Sequence, residues 1–117
     1  DYTEAHSNLG IALTNKGNTS EAISQLKKAI ELNPDYFDAH YNLGNALLRK
    51  GNTSEAILYY KKAIELKPDY AQAYNNLGFA LMNKGNTSEG ISQFEKAIEL
   101  KPDYAKAHDN LKRAQSK

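Results

Sequence analysis

The heptapeptide GNTSEAI at residues 17–23 returns unchanged at 51–57 and as GNTSEGI at 85–91, each copy 34 residues after the last. A period of that length restricts the fold more than any composition figure. Each period must be one supersecondary unit that buries its apolar surface by stacking on its own copies. The echo extends past the heptad: AIEL falls at 29–32, 63–66 and 97–100, and NLG at 8–10, 42–44 and 76–78. The units therefore occupy about residues 1–34, 35–68 and 69–102, and a shorter tail fills 103–117 within one 1–117 domain.

One unit reads as a helical hairpin. Ala5, Leu9, Ala12 and Leu13 recur at helical spacing, and Leu9, Ala12 and Leu13 are expected to turn toward a partner helix. Gly17 offers the positive φ that ends a helix, with Lys16 suited to the negative end of its dipole. Thr19 or Ser20 is expected to cap a second helix, with Glu21 in its first turn. Ala22, Ile23, Leu26, Ala29 and Ile30 then form its packed face, and Pro34 stops it. Asp35 is expected to cap the next helix, so short links join antiparallel neighbours. The mid-helix glycines Gly10, Gly44 and Gly78 each give up about 1 kcal/mol of helix propensity. The expected return is close approach to Ala22, Ala56 and Gly90. Ala29, Ala63 and Ala97 let the next hairpin settle, and Tyr2, Tyr36, Tyr70 and Tyr104 seal the junctions between units. After Pro102, Asp103 starts a helix through Ala105, His108 and Leu111, but Lys112 stands where the glycine would be. Lys101, Lys106, Lys112, Arg113 and Lys117 make that end helix wettable, as the end of a stack requires. The fold class expected from these features is an all-α solenoid of antiparallel helical hairpins.

Several functions are disfavoured. The net charge of +1, from 15 basic and 14 acidic residues, gives no support to a nucleic-acid or anionic-membrane surface. No apolar run approaches the roughly 18 residues of a membrane span, and no secretory leader is visible. The chain begins at Asp1, so the missing leader says little. No compartment is fixed, and the cytoplasm is the default expectation. With no cysteine there is neither a disulfide nor thiolate chemistry. Asn18-Thr19-Ser20, Asn52-Thr53-Ser54 and Asn86-Thr87-Ser88 match the glycosylation pattern but are explained as turn and cap residues. His6, His40 and His108 share a helix face. Stacked helices hold such equivalents roughly 8–10 Å apart, against about 2 Å for a zinc–nitrogen bond, so no metal is expected. No nucleophile–base pair or phosphate loop stands out, so neither catalysis nor a cofactor is expected.

These residues resemble the tetratricopeptide repeat. Leu9-Gly10, Ala22, Leu26, Ala29 and Pro34 follow its small-and-large pattern in the first copy. Leu43-Gly44, Ala56, Tyr60, Ala63 and Pro68 follow it in the second, and Leu77-Gly78, Phe94, Ala97 and Pro102 in the third. His6, His40 and Tyr74 depart from a frequent tryptophan, and Leu13, Leu47 and Leu81 from a tyrosine. The resemblance implies a right-handed superhelix whose first helices line a concave groove that binds extended peptides or partner proteins. Chaperone-binding members hold a carboxylate with lysines, an arginine and asparagines. Those seats fall here on Ser7, Ile11, Asn42, Gln72 and Asn76, and only Asn42 matches.

On the expected groove side, one column is uniform: Asn8, Asn42, Asn76 and Asn110. An amide supplies a donor and an acceptor together and suits a peptide backbone, and the column is similar to that of the superhelix attached to O-linked N-acetylglucosamine transferases. The same asparagines equally suit bonds between helices that hold the repeats in register. Ile11, Tyr41, Leu48, Phe79 and Met82 make a candidate apolar stripe, with Leu48 and Met82 also able to pack between helices. Asn45 and Arg49 complete the candidate lining. Two functions remain: a scaffold holding a peptide or protein in the groove, or a structural module that self-associates through its repeat ends. The near-identity of the copies also fits recent duplication or engineering, with no dedicated ligand.

Overall fold

In the computed structural model, which describes residues 1–116, seven α-helices follow one another. They are α1 (Tyr2–Asn15), α2 (Thr19–Leu32), α3 (Phe37–Lys50), α4 (Thr53–Leu66), α5 (Ala71–Asn83), α6 (Thr87–Leu100) and α7 (Ala105–Gln115). Lys117, counted above with the polar residues of the end helix, lies outside the described residues. The hairpins α1–α2, α3–α4 and α5–α6 stack in chain order, each also packing on the next, and α7 covers α6. The result is a solenoid extending 43 × 25 × 20 Å.

The heptad forms the bend of each hairpin. Gly17, Gly51 and Gly85 adopt φ of +86°, +89° and +93°, a region where a side chain costs about 1–2 kcal/mol. In the first bend Asn18 N–H reaches back to Leu13 O at 2.8 Å and Gly17 N–H to Thr14 O at 3.0 Å. Two orphan carbonyls of α1 are thereby satisfied. The capping expectation is corrected in part. The second helices begin at Thr19, Thr53 and Thr87, preceded by Asn18, Asn52 and Asn86, whose side chains make no cap bond. Asp35 and Asp103 do not cap either, because the cap positions fall on Tyr36 and Tyr104. Among the described residues only Asp1 does so, accepting from Glu4 N–H at 2.9 Å. In the later turns the backbone does the work, with Tyr36 N–H bonded to Asn33 O and Tyr104 N–H to Lys101 O.

Inside each hairpin the glycines meet a large side chain more than a small one. A Cβ built on Gly10 would lie 2.6 Å from Leu26 Cγ, on Gly44 2.7 Å from the Tyr60 ring, and on Gly78 2.7 Å from the Phe94 ring. The expected approach to the small residue is present as well: the same added Cβ would stand 3.3 Å from Ala22 O at Gly10 and 2.9 Å from Gly90 O at Gly78. Leu26, Tyr60 and Phe94 are wholly buried, a state worth about 1.5–3 kcal/mol for a side chain of that size.

Leu9 and Ala12 do not face α2 as expected. The face of α1 that packs inside its hairpin carries Thr3, Ser7, Gly10 and Thr14. Leu9 is 47% exposed, whereas its equivalents Leu43 and Leu77 are 0% and 3% exposed against the preceding hairpin. In interior hairpins both stripes are covered, so a single broad apolar arc serves two different neighbours.

Two of the departures from the family pattern, His40 and Tyr74, make the same contact, as does His108. His40 Nε2 lies 2.7 Å from Pro34 O, His108 Nε2 lies 2.8 Å from Pro102 O, and the Tyr74 hydroxyl donates to Pro68 O at 2.7 Å. Each ties a first helix to the turn before it. His6 pairs instead with Gln25 Oε1 at 2.7 Å.

Candidate functional site

The inner side of the stack is lined by α1, α3 and α5, and a cavity of about 410 Å³ opens between the first two hairpins and the third. Seven candidate residues line it: Asn42, Asn76, Ile11, Asn45, Leu48, Arg49 and Phe79. Thr14, Asn15 and Tyr60 complete the wall. The repeat pattern alone assigns Tyr60 to packing. The available signal was its hydroxyl, at a position where the other copies have Leu26 and Phe94.

Four candidates stand elsewhere. Asn8 is exposed outside the cavity and Asn110 is half-buried on α7. Tyr41 is half-buried and does not line the cavity, its ring lying 5.3 Å from that of Tyr70 and stacked 5.8 Å from Phe37. Tyr70 also meets Phe37 edge-on at 4.8 Å, so it bridges the second and third hairpins. Met82 is corrected from groove anchor to core. It is 8% exposed and shares a buried cluster with Phe94 and Ala114. Its flexible thioether suits an irregular space among those side chains. Ser7, one seat of the carboxylate pattern, is also buried.

The asparagine column is uniform in sequence and divided in structure. Asn76 Nδ2 donates to Asn45 Oδ1 at 2.9 Å and to the Tyr41 hydroxyl at 3.1 Å. Asn45 Oδ1 also accepts from the Tyr60 hydroxyl at 2.6 Å. Asn110 Nδ2 likewise crosses to the previous hairpin, donating to Asn75 Oδ1 at 3.0 Å. Asn42 does not cross. Its Nδ2 donates to Asp38 O of its own helix at 2.8 Å. The positions that would serve it, matching Tyr41 and Asn45, are Ser7 and Ile11. Ile11 has no polar atom, and the buried Ser7 Oγ has no hydrogen-bond partner. The first junction is instead tied at the cavity edge, where Arg49 Nη1 donates to Thr14 O in the last turn of α1. That carbonyl end of a helix favours a cation.

The electrostatics follow from burial. The phenols of Tyr60 and Tyr41 are held above the usual tyrosine range, chiefly because burial disfavours the phenolate. For Tyr41 the neighbouring Tyr70 adds to the rise, while the nearby side-chain amides of Asn45 and Asn76 oppose it. Arg49 is the one formally charged residue on the cavity wall. Among the described residues no three His, Cys, Asp or Glu side chains converge as a metal site. No helix is long and apolar enough to cross a membrane.

A first helix carrying the site, a glycine bend and a second helix docking its large residue on a mid-helix glycine recur three times in register. Family models described as TPR repeat match residues 12–51 and 44–85, and one described as tetratricopeptide repeat matches 71–104. The chain belongs to the tetratricopeptide-repeat family. Among solved structures it is similar to MamA, at 31% identity and TM-score 0.94, over 97% of this chain and 67% of that one. It is similar to YrrB, described as a TPR protein with an unusual peptide-binding site, at 27% identity and TM-score 0.90, over 96% of this chain and 58% of that one. The first TPR of Spaghetti (RPAP3), bound to the HSP90 peptide SRMEEVD, shares the fold at 22% identity and TM-score 0.96, over 98% and 91% of the two chains. No curated protein matches the chain by sequence.

Proposed function

We propose that this repeat stack is a non-catalytic scaffold that holds an extended peptide segment of a partner protein in its concave side. The grip would centre on the cavity lined by α1, α3, α4 and α5. The observation that carries this reading is the state of Asn42. Its amide is bonded only to its own helix, while Asn76 and Asn110 are committed to neighbouring hairpins. Asn42 therefore keeps its carbonyl for a backbone N–H, beside the apolar surfaces of Ile11, Leu48 and Phe79. The likeness to YrrB, described as having a peptide-binding site, supports the same reading.

Self-association through the repeat ends has half of what it needs. The α1 end exposes an apolar face, but α7 presents Lys106, Asp109, Lys112 and Arg113, which do not complement it.

The test is a peptide-array selection followed by calorimetric titration of the selected peptide. Asn42→Ala should lose on the order of 1–3 kcal/mol of binding, as expected for a hydrogen bond removed at a desolvated site. Phe79→Ala should approach about 2 kcal/mol. Parent-like affinity in both folded variants would place the ligand elsewhere.

A further inference from the structure

The cavity wall carries one charge, Arg49, and the rest of its lining is neutral. Arg49 is exposed in the last turn of α3. Among the described residues the ion pairs join Lys62 to Asp35 and Glu65 and Lys96 to Glu99, so no carboxylate pairs with Arg49. Its Nη1 donates to Thr14 O at 2.9 Å across the first junction. That bond takes one guanidinium N–H and leaves the others free to donate. The planar fork is therefore held at the cavity edge with donors to spare, and less ordering remains to be done when an anion binds. Asn15 occupies the matching position of the first repeat and lines the same cavity, where its amide adds a further donor.

We infer that Arg49 selects the partner by pairing with an aspartate or glutamate side chain of the peptide, a step that rests on the groove reading above. A carboxylate can take two parallel N–H bonds from one arginine. One wall charge balances one carboxylate, whereas a phosphoryl group brings nearly two charges. Asn42 and Arg49 stand seven residues apart on α3, about 10 Å along its axis. About three extended residues cover that length, so one short segment reaches both. A lysine or arginine at the same place in the peptide would meet a like charge, so the pairing rejects some partners as well as attracting others. At the exposed edge of the cavity the pair stays partly in water, which keeps its contribution modest and sensitive to salt.

The probe is an array of random heptapeptides, N-acetylated and C-amidated, screened against the folded chain. Aspartate or glutamate should be enriched at one position of the aligned binders. Against Arg49→Glu that position should change to lysine or arginine, and against Arg49→Gln its charge preference should vanish. Arg49→Gln keeps an amide donor for Thr14 O, so it carries the test if Arg49→Glu misfolds. In titrations of the best acidic peptide, Arg49→Gln should bind about fivefold more weakly, and added salt should weaken the parent more than the variant. Should no peptide be retained, with amidated or with free C-termini, the groove reading falls and the pairing with it. Retained peptides without acidic enrichment, enrichment spread over every position, or an acidic preference unchanged in Arg49→Glu overturns the pairing alone and leaves the groove standing. Binding confined to peptides with a free C-terminus also overturns it, because the terminal carboxylate would then be the anion.

Discussion

Asn76 of α5 is pinned to Asn45 of α3 at 2.9 Å, and Asn45 is in turn fixed by the Tyr60 hydroxyl at 2.6 Å. This chain closes the second junction of the stack, and its absence at the first leaves Asn42 with capacity to spare. Two asparagines in one sequence column therefore have opposite expected phenotypes.

Asn76→Ala should destabilise the fold. It leaves Asn45 Oδ1 with one donor fewer and removes the bond to the half-buried Tyr41 hydroxyl. A loss of about 1–3 kcal/mol is expected. Asn42→Ala removes only an exposed bond to its own helix and should change stability by less than about 0.5 kcal/mol. Urea midpoints at constant m-value separate the two. Equal losses would mean that both asparagines hold the repeats together.

Ala56 is wholly buried beneath the second hairpin's crossing. Ala56→Leu forces extra methyl groups into that space, and overpacking of this kind costs about 1–3 kcal/mol. The surface control is Lys61→Leu, because Lys61 is exposed. Lys67 does not serve as a neutral control, since its ammonium sits 4.6 Å above the Phe37 ring. A shared denaturant midpoint for Ala56→Leu and the control would contradict the packing.

Alkaline titration should resolve the buried tyrosines from the exposed ones. The folded state raises the pKa of Tyr60 and of Tyr41 above that of the unfolded chain, about 10. A raised folded value means that their contribution to stability is fully present below about pH 10 and is lost as pH climbs toward the folded values. The tyrosinate absorbance of Tyr60 should appear only as helicity is lost. A Tyr60→Phe variant should keep its helicity to higher pH, though it forfeits the bond to Asn45. Full ionisation of all 8 tyrosines in a still-helical chain would contradict the burial of Tyr60.

Much of this fold was legible because its signals are local. Gly17, Gly51 and Gly85 stop helices through their own dihedral angles, and Pro34, Pro68 and Pro102 act on the residue before them. Helix faces were harder. Leu9 and Leu13 belong to one apolar arc, and periodicity does not say which edge of the arc meets the partner helix and which the next hairpin. For Met82 the sequence leaves groove and core both open, because its position carries Thr14 and Leu48 in the other copies, and only its burial beside Phe94 and Ala114 turns it inward. Most of the cavity wall was found from spacing on the first helices, whereas Tyr60 enters from a second helix that spacing assigns to the core. The division among the asparagines was invisible, because it depends on the residue one hairpin away: Asn45 for Asn76, and Ile11 for Asn42.

That dependence gives the sharpest test of the site. Ile11→Asn would place at the first junction the residue type that Asn45 supplies at the second. Asn42 would then have a cross-hairpin acceptor in the position through which Asn45 engages Asn76. Its amide should turn from Asp38 O toward residue 11, visible as a changed side-chain amide resonance in NMR. Because Ile11 is only half-buried on the cavity wall, the lost apolar contact and the gained hydrogen bond should nearly cancel, leaving stability within about 1 kcal/mol of the parent. Peptide affinity should fall more than in an Ile11→Val control, since Val removes one methylene and leaves Asn42 free. If Ile11→Asn shifts the Asn42 amide but binds the selected peptide as tightly as Ile11→Val does, the amide of Asn42 is not what holds the ligand.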